Sequence, residues 1–237
     1  MPSRLDEQHR SAQLAVRAGA VRDALTLWSA VDLADIDGSW MAIAPGMEAV
    51  VNGYRRQSAG VAGGYYQAAR VQAGVQGAAP LRLAGEIPPD ALRLSLGYYA
   101  TVIPKALVKA GRLDVMQQAG VKLAGAVARH VHNGGRETVE ESVKADPQAQ
   151  GWARFGSAEP CAFCLMLISR GPVYSEQTVR FEAHDHCACD ARPVFDRREG
   201  WDDQALQARA LWSQHAKGPD PINAFRRALE RPGLHVA

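Results

Sequence analysis

The sequence has few aromatic residues, little net charge and no long apolar run. Aromatic residues fill only 7% of the 237 positions, while alanine, glycine, leucine and valine dominate, which favours closely packed helices over an aromatic-rich β-sandwich. The formal net charge is +2, so no field of the whole chain attracts nucleic acid or a membrane. No apolar run reaches the roughly 18 residues of a transmembrane helix. The polar opening at 1–6 shows no signal peptide, so we expect a soluble protein made in a reducing cytoplasm.

Cysteine is scarce too, yet all four cysteines lie between positions 161 and 189. Cys161 and Cys164 are two residues apart, and Cys187 and Cys189 directly follow a pair of histidines. Thiolate and imidazole are ligands that zinc prefers, and a Cys-x2-Cys turn presents two sulfurs to one tetrahedral ion. The clustering therefore predicts a structural zinc site.

The spacing leaves the ligand set of this site open. Cys161 and Cys164 are the most secure pair, and Cys187 and Cys189 would share one face of an extended strand. Disulfides are the alternative, but Cys187 and Cys189 are too close to bond each other comfortably, and a reducing compartment disfavours such bridges. The side chains that compete for the four positions are Cys161, Cys164, His184, His186, Cys187 and Cys189.

Up to position 145, apolar residues at helical spacing predict a helical N-terminal body. Pro45 is expected to interrupt one helix, and Gly60, Gly63 and Gly64 are expected where another helix packs closely. The sequence Asn-Gly-Gly at 133–135 predicts the end of a helix, because glycine adopts the left-handed conformation without steric cost. His130 and His132 would then face the C-terminal end of that helix dipole.

The pattern changes near position 150. Alternation predicts short strands at 151–155, 179–181 and 191–195, and a short apolar helix leaves Cys164. Two more helices are expected after position 200, the first capped by Asp202 or Asp203 and the second beginning at Pro221. The predicted fold is therefore mainly α: a helical body at 1–147, a small α+β module like a zinc knuckle at 148–198, and C-terminal helices with a tail at 199–237.

Five side chains are predicted to support the metal site: Arg154, Trp152, Phe163, Asp185 and Phe195. Trp152 and Phe163, together with Phe195, are expected to pack around it. Arg154 has two interpretations: it braces the knuckle through a hydrogen bond to a carbonyl or to Asp185, or it is a solvated strand residue. Since ligand binding contributes on the order of 10 kcal/mol in small zinc modules, we expect the ion to fold a region with little core of its own.

Several motifs together resemble a known family. They read GWAR at 151–154, PCAFC at 160–164, SRGPVY at 169–174, and HDHCAC at 184–189 running into PVF at 193–195. In these stretches the sequence is similar to the phage Mu F-like minor head proteins, in the form found in phages of actinobacteria. The helical part, including LW at 27–28 and DGSW at 37–40, resembles the family less specifically.

The resemblance implies a ligand set and a role. The family pattern, Cys-x2-Cys followed by His-x2-Cys-x-Cys, selects Cys161, Cys164, His184, Cys187 and Cys189, with His186 as an alternate ligand. It further implies a low-copy minor capsid protein inside the virion, assembled in the host cytoplasm and associated with the portal or the major capsid protein. Contact with packaged DNA is a weaker expectation, and neither a membrane nor a small-molecule substrate is expected.

Two enzyme classes share part of the pattern. The PCxxC motif is half of a zinc deaminase signature, but the upstream histidines at 130 and 132 lack the glutamate that must follow two residues later. His184 and His186 beside cysteines also resemble a ββα-metal nuclease, whose downstream asparagine and histidine are not evident, although His215 and Asn223 occur farther along. If zinc uses the histidines, no general base remains. We therefore expect a non-enzymatic protein, with the nuclease as the alternative.

Overall fold

A computed structural model describes residues 3–156, 160–172, 181, 183–196, 198 and 201–230. The described residues are mainly helical, which confirms the predicted fold class. The helices are α1 (Arg4–Trp28), α2 (Ile36–Gln72), α3 (Pro89–Gly97), a π-helical turn (Tyr98–Val102), α4 (Ile103–Lys109), α5 (Val115–Ala145), α6 (Ala162–Ile168), α7 (Asp203–His215) and α8 (Pro221–Leu229). The strands β1 (Gly151–Phe155) and β2 (Asp190–Val194) pair in antiparallel orientation, with Gly151 opposite Val194.

Two hydrophobic clusters hold these elements together. One lies among α1, α2, α3 and α5 and contains Trp28, Met47 and Leu123. The other combines Tyr66 of α2 and Val139 of α5 with residues of the cysteine-bearing part. Because this second cluster includes α2 and α5, the cysteine-bearing loops lie directly on the helical body. The proposed boundaries at 147/148 and 198/199 stay predictions.

Helix ends follow local rules where the sequence supplies caps. Ser3 and Asp6 form a capping box at the start of α1, and the Asp202 carboxylate accepts a hydrogen bond from the backbone N–H of Ala205 at the start of α7. The predicted strands at 151–155 and 191–195 correspond to β1 and β2, whereas the one at 179–181 falls largely outside the described residues. No helix of the described chain combines the length and the apolar character that crossing a bilayer requires.

Two predicted helix interruptions are wrong. Helix α2 continues through Pro45, where buried Ala44 and Met47 anchor it to the core on either side and offset the proline's cost of about 3 kcal/mol. Helix α5 continues through Gly134 and Gly135 to Ala145. These two glycines do not cap a helix end; they allow α1 and α2 to approach α5 closely.

The contacts of Gly134 predict that a larger residue at this position lowers the stability of the protein. A Cβ at Gly134 would lie 2.5 Å from the backbone oxygen of Arg55. A Cβ at Gly60 would meet no atom within 4 Å, so the prediction that a helix packs closely at Gly60 is wrong. We expect Gly134→Ala to destabilise the protein by about 2 kcal/mol, because overpacking outweighs the gain in helix propensity. The matched change Gly60→Ala is expected to stabilise by roughly 0.5–1 kcal/mol. Urea denaturation of both variants checks the prediction, and equal signs would contradict it.

Candidate metal centre

The strand pair and helix α6 bring the two cysteine-bearing segments together. Cys161 caps the N-terminus of α6, and its Sγ accepts a hydrogen bond from the backbone N–H of Cys164 at 3.4 Å. Cys187 and Cys189 lie in the segment that leads directly into β2, which pairs with β1. Pairing thus fixes the second segment beside the first. Cys161 is exposed, whereas the other three thiols are buried.

Five side chains place metal-competent atoms close to one another. The Sγ atoms of Cys161 and Cys164 lie 3.1 and 3.6 Å from Nε2 of His184, and the Cys164 and Cys187 sulfurs are 3.5 Å apart. The donors form two triplets, each with all its atoms within 4.8 Å of one another. One triplet is Cys161, Cys164 and His184; the other is Cys164, Cys187 and Cys189. All five residues that the family pattern selects therefore meet here.

These separations fit a tetrahedral thiolate–imidazole centre. Zinc bonds of about 2.3 Å to sulfur and 2.0 Å to nitrogen place neighbouring ligand atoms roughly 3.5–3.8 Å apart. The measured distances of 3.1–3.6 Å lie at or just below that range. The Cys/His donor set could thus hold a metal ion.

The thiols compete for protons because they are so close. The hydrogen bond with Cys164, followed by the contact with His184, lowers the pKa of Cys161 to about 5, while the same bond raises the pKa of Cys164. Hydrogen bonds from Cys164 and Cys189 lower the pKa of Cys187. For Cys189, the bond with Cys164 acts to lower the pKa, but the bond with Cys187 and burial together raise it to about 12. The mutual hydrogen bonds thus lower the pKa of Cys161 and Cys187 and raise that of Cys164 and Cys189. Each thiol that binds a metal ion would have to lose its proton.

Arginines of the helical body bind the backbone of the second ligand segment. Arg136 of α5, which is 1% exposed, donates to the carbonyl oxygen of Cys189 at 2.7 and 2.9 Å and to that of Cys187 at 3.0 Å. Arg17 of α1 donates to the Cys187 carbonyl oxygen at 3.2 Å. These two arginines, the arginine clamp, fix the ligand segment through its main chain and leave its sulfurs available.

Asp185 is held by side chains other than the one predicted. Its carboxylate accepts hydrogen bonds from Nε of Arg129 at 2.7 Å and from the hydroxyl of Tyr99 at 2.8 Å. Tyr99 belongs to the π-helical turn. This turn and α5 therefore position the start of the ligand segment.

The predicted aromatic supports occupy different places. Trp152 of β1 stacks on Phe181 with ring centroids 5.4 Å apart, and Phe163 contacts the His184 ring edge-on at 6.1 Å. Phe195 instead meets Tyr66 edge-on at 5.9 Å.

Arg154 is 3% exposed, and its guanidinium lies 3.7 Å from the centre of the Phe181 ring. The interpretation of Arg154 as a solvated strand residue is therefore wrong. Its cation packs over the same ring that Trp152 covers.

His186, the alternate ligand, points elsewhere. Its backbone has a positive φ of 64°, and its ring lies against Gly125 of α5, where an added Cβ would come within 2.5 Å of Nε2. His186 belongs to neither triplet among the described residues.

A buried polar cluster beside the ligands was not foreseen. Nε2 of His132 lies 2.6 Å from Oδ1 of Asp190, and Nε2 of His9 lies 3.7 Å from the same oxygen. Burial is the largest effect on both imidazoles and lowers the pKa of each. The prediction that His132 lies near a helix end is wrong, since α5 continues for 13 residues beyond it. In the sequence, the only sign of this cluster is the position of Asp190 directly after Cys189.

His130 lies in mid-helix as well, and its burial predicts a pH dependence of stability. Loss of hydration lowers the pKa of His130 from 6.5 to about 4, and its Nε2 lies 2.8 Å from the Ser95 hydroxyl. Because the unfolded chain takes up this proton near pH 6.5 and the folded protein only near pH 4, stability is lost as the pH falls through that window. The loss amounts to about 3 kcal/mol. Denaturation of wild type and His130→Gln between pH 7 and 4 should show it; a pH-independent difference would contradict it.

An open cleft of about 1170 Å³ adjoins the centre. His184 and Phe163 line one side, and Glu137, Glu140 and Glu141 of α5 line another. All three of these carboxylates have partners, and Glu141 accepts a hydrogen bond from Lys144 at 2.8 Å. Glu137 pairs with Arg55, and Glu140 accepts hydrogen bonds from Lys144 and from the backbone N–H of Phe181.

Taken together, the fold and the donors define a mainly helical protein with a Cys/His cluster that could hold a metal. The model of the family described as VG15 protein matches residues 1–215, so the chain belongs to the VG15 family. It is 34% identical to the Gene 15 protein of Mycobacterium phage D29, over 50% of this chain and 62% of that protein. It is 31% identical to the Gene 15 protein of Mycobacterium phage L5, over 50% of this chain and 60% of that protein.

The family and these relatives identify a phage protein of the actinobacteriophage type. The chain spans about six tenths of the length of the curated relatives it matches. No solved structure matches it.

Proposed function

We propose that the chain is a non-enzymatic minor head protein of an actinobacterial phage, with a structural zinc centre in its Cys/His cluster. The observation that carries the structural role is the arginine clamp: buried Arg136 binds two carbonyl oxygens of the ligand segment, so that segment is part of the core. A centre that joins the strand pair and α6 to the long helices stabilises a fold. The motif resemblance to Mu F-like proteins and the similarity to mycobacteriophage proteins support the head assignment.

In this proposal the protein lies inside the capsid near the portal. Its partners are the portal or the major capsid protein, with packaged DNA as a weaker candidate. Quantitative mass spectrometry of purified particles of the encoding phage tests the location. We expect the chain in full particles at a small fraction of the major capsid protein's copy number. Its absence from particles would contradict the assignment as a minor head protein.

Elemental analysis tests the metal. Protein purified without chelator should contain zinc, and the double change Cys161→Ser with Cys187→Ser should abolish it, because each triplet then keeps only two donors. The matched control, His215→Gln, changes a histidine outside both triplets and should retain the metal. Metal-free wild-type protein would contradict a zinc centre.

A metal-dependent nuclease is the alternative, favoured by the cleft where carboxylates of α5 face His184. Incubating metal-loaded protein with double-stranded DNA separates the two functions. The structural role predicts no cleavage above a metal-only control. Cleavage that Glu137→Gln abolishes, by changing a carboxylate of that cleft, would establish the enzyme instead.

A further inference from the structure

An apolar groove, the α1–α5 groove, runs along the outside of the helical body between these two helices. Leu14, Val21 and Leu25 of α1 and Val121 of α5 line its walls, and buried Trp28 lies at its base. The groove has a volume of about 670 Å³, and Leu25 and Val121 are 38% and 56% exposed. A contiguous apolar surface of this kind on a folded protein marks an interaction site.

The lining residues recur at the spacing of a helix-packing seam. On α1 they include positions 14, 18, 21 and 25, and on α5 they include 117, 121, 124 and 128. Both series follow the intervals four, three and four, which place side chains on one stripe of a helix. The two helices run in opposite directions, because Gln13 lies beside Gly135 and Trp28 lies beside Gly120. Two such stripes side by side form the surface on which a third helix packs.

The shape and length of the groove fit a short helix. Between the larger wall residues the lining consists of small side chains, which are Ala18, Gly120, Ala124 and Ala128. Small residues leave room for the large apolar side chains of an incoming helix, as in the packing of ridges into grooves. At a rise of about 1.5 Å per residue, the stripe from 14 to 25 is about 16 Å long, which corresponds to roughly three helical turns.

The edges of the groove are cationic. The sequence has no acidic residue at 8–22 of α1 or at 115–136 of α5. Arg22, whose side chain is 74% exposed, lies at the outer edge of α1, and exposed Lys122 directly follows Val121 in α5. Arg22 contacts Asp23 at 3.4 Å, but an exposed pair of this kind contributes little. A ligand with carboxylates on both flanks is therefore complementary to the groove in charge.

We propose that the α1–α5 groove binds an amphipathic helix of a partner protein, with large apolar side chains on the inner face of that helix and carboxylates on its flanks. A second copy of this chain fits less well, because groove-to-groove packing would bring like cationic edges together. Nucleic acid fits less well too, since the lining is largely apolar and Arg17 donates to the carbonyl oxygens of Cys187 and His186. None of the five metal-competent donors lines the groove, so the proposal does not depend on a metal.

Selection from a displayed library of helical peptides of about 14 residues tests the proposal on the full chain. The library varies the inner positions, at intervals of four and three, among leucine, phenylalanine, serine and glutamine, and the flanking positions among glutamate, lysine and glutamine. We expect enrichment of leucine or phenylalanine inside and of glutamate on the flanks. A synthetic peptide of the enriched sequence should bind with a micromolar Kd in fluorescence anisotropy, and its affinity should fall as the salt concentration rises.

Variants at exposed positions assign the binding to this groove. Val121→Asp should weaken the peptide's affinity by roughly tenfold or more, because it replaces an apolar wall with a charge that repels the carboxylates. Lys122→Glu should weaken a glutamate-flanked peptide and strengthen its lysine-flanked counterpart. The matched control is Val108→Asp on α4, where the valine is 52% exposed, and it should leave both affinities unchanged. Circular dichroism checks that each variant folds.

Several outcomes would overturn the proposal. These are a selection without enrichment, enrichment of lysine on the flanks, and a peptide that binds Val121→Asp as tightly as wild type. A concentration-dependent dimer that Val121→Asp abolishes, seen by sedimentation, would assign the groove to a second copy instead. Displacement of the peptide by double-stranded DNA would assign the cationic edges to nucleic acid.

Discussion

Replacing Arg136 with methionine is expected to lower the free energy of unfolding by about 3 kcal/mol and to weaken zinc binding by roughly 10- to 100-fold. The guanidinium donates to the carbonyl oxygens of Cys187 and Cys189, both at sites closed to water. Methionine fills much of the same volume, but it removes both hydrogen bonds to the Cys189 oxygen and leaves the Cys187 oxygen with only the longer bond from Arg17. A buried oxygen that loses its donor costs about 1–3 kcal/mol. Part of that cost is offset, because the methionine variant no longer buries the charged guanidinium of Arg136. Urea denaturation and competition with a chromophoric chelator measure the two effects.

Arg17→Met is the matched control for the arginine clamp. Arg17 binds the same segment from α1, but its hydrogen bonds to the carbonyl oxygens of Cys187 and His186 are longer, at 3.2 and 3.4 Å, and its side chain is only partly buried. We expect a loss of about 1 kcal/mol or less and little change in zinc affinity. Equal losses in the two variants would contradict the greater importance of the buried arginine. An unchanged Arg136→Met protein would show that the metal alone positions the segment.

The features that were predictable from the sequence are those set by nearby residues. Helical apolar spacing, the Asp202 cap and the strand at 151–155 depend on neighbours within a few positions, and the structure confirms them. The cysteine cluster was equally predictable, because the spacing of a Cys-x2-Cys turn brings its two sulfurs close together. Local chemistry thus sufficed for the fold class and for the candidate donors.

The features that were missed depend on contacts between distant parts of the chain. Gly134 could equally end a helix or allow close packing, and only the position of Arg55, 79 residues earlier, decides between the two. Arg136 carries no local mark of its role, since its partners are carbonyl oxygens more than 50 residues away. His132 finds Asp190 across a similar separation. The spacing of apolar residues predicts which face of a helix is buried, but it does not predict which distant residues contact that face.

Chelation of the metal is expected to loosen the cysteine-bearing part while the first hydrophobic cluster survives. Metal binding contributes on the order of 10 kcal/mol in small zinc modules, so its loss should expose the backbone of α6 and of 183–189 to exchange. The cluster around Trp28, Met47 and Leu123 contains no residue of that part and should remain protected. Hydrogen–deuterium exchange with and without chelator measures both regions. The matched control is the double variant Cys161→Ser with Cys187→Ser, which should exchange rapidly at these segments before chelator is added and change little afterwards.

The extent of loosening tells which interaction dominates at the ligand segment. If metal bonds dominate, exchange at 183–189 should rise by several orders of magnitude on chelation, since each 1.4 kcal/mol corresponds to a tenfold change. If the arginine clamp dominates, α6 should loosen while 183–189 stays protected, because Arg136 and Arg17 bind only the second segment. Unchanged exchange at both segments would contradict a stabilising metal. Complete unfolding would show that the second cluster, shared with α2 and α5, cannot persist without the ion.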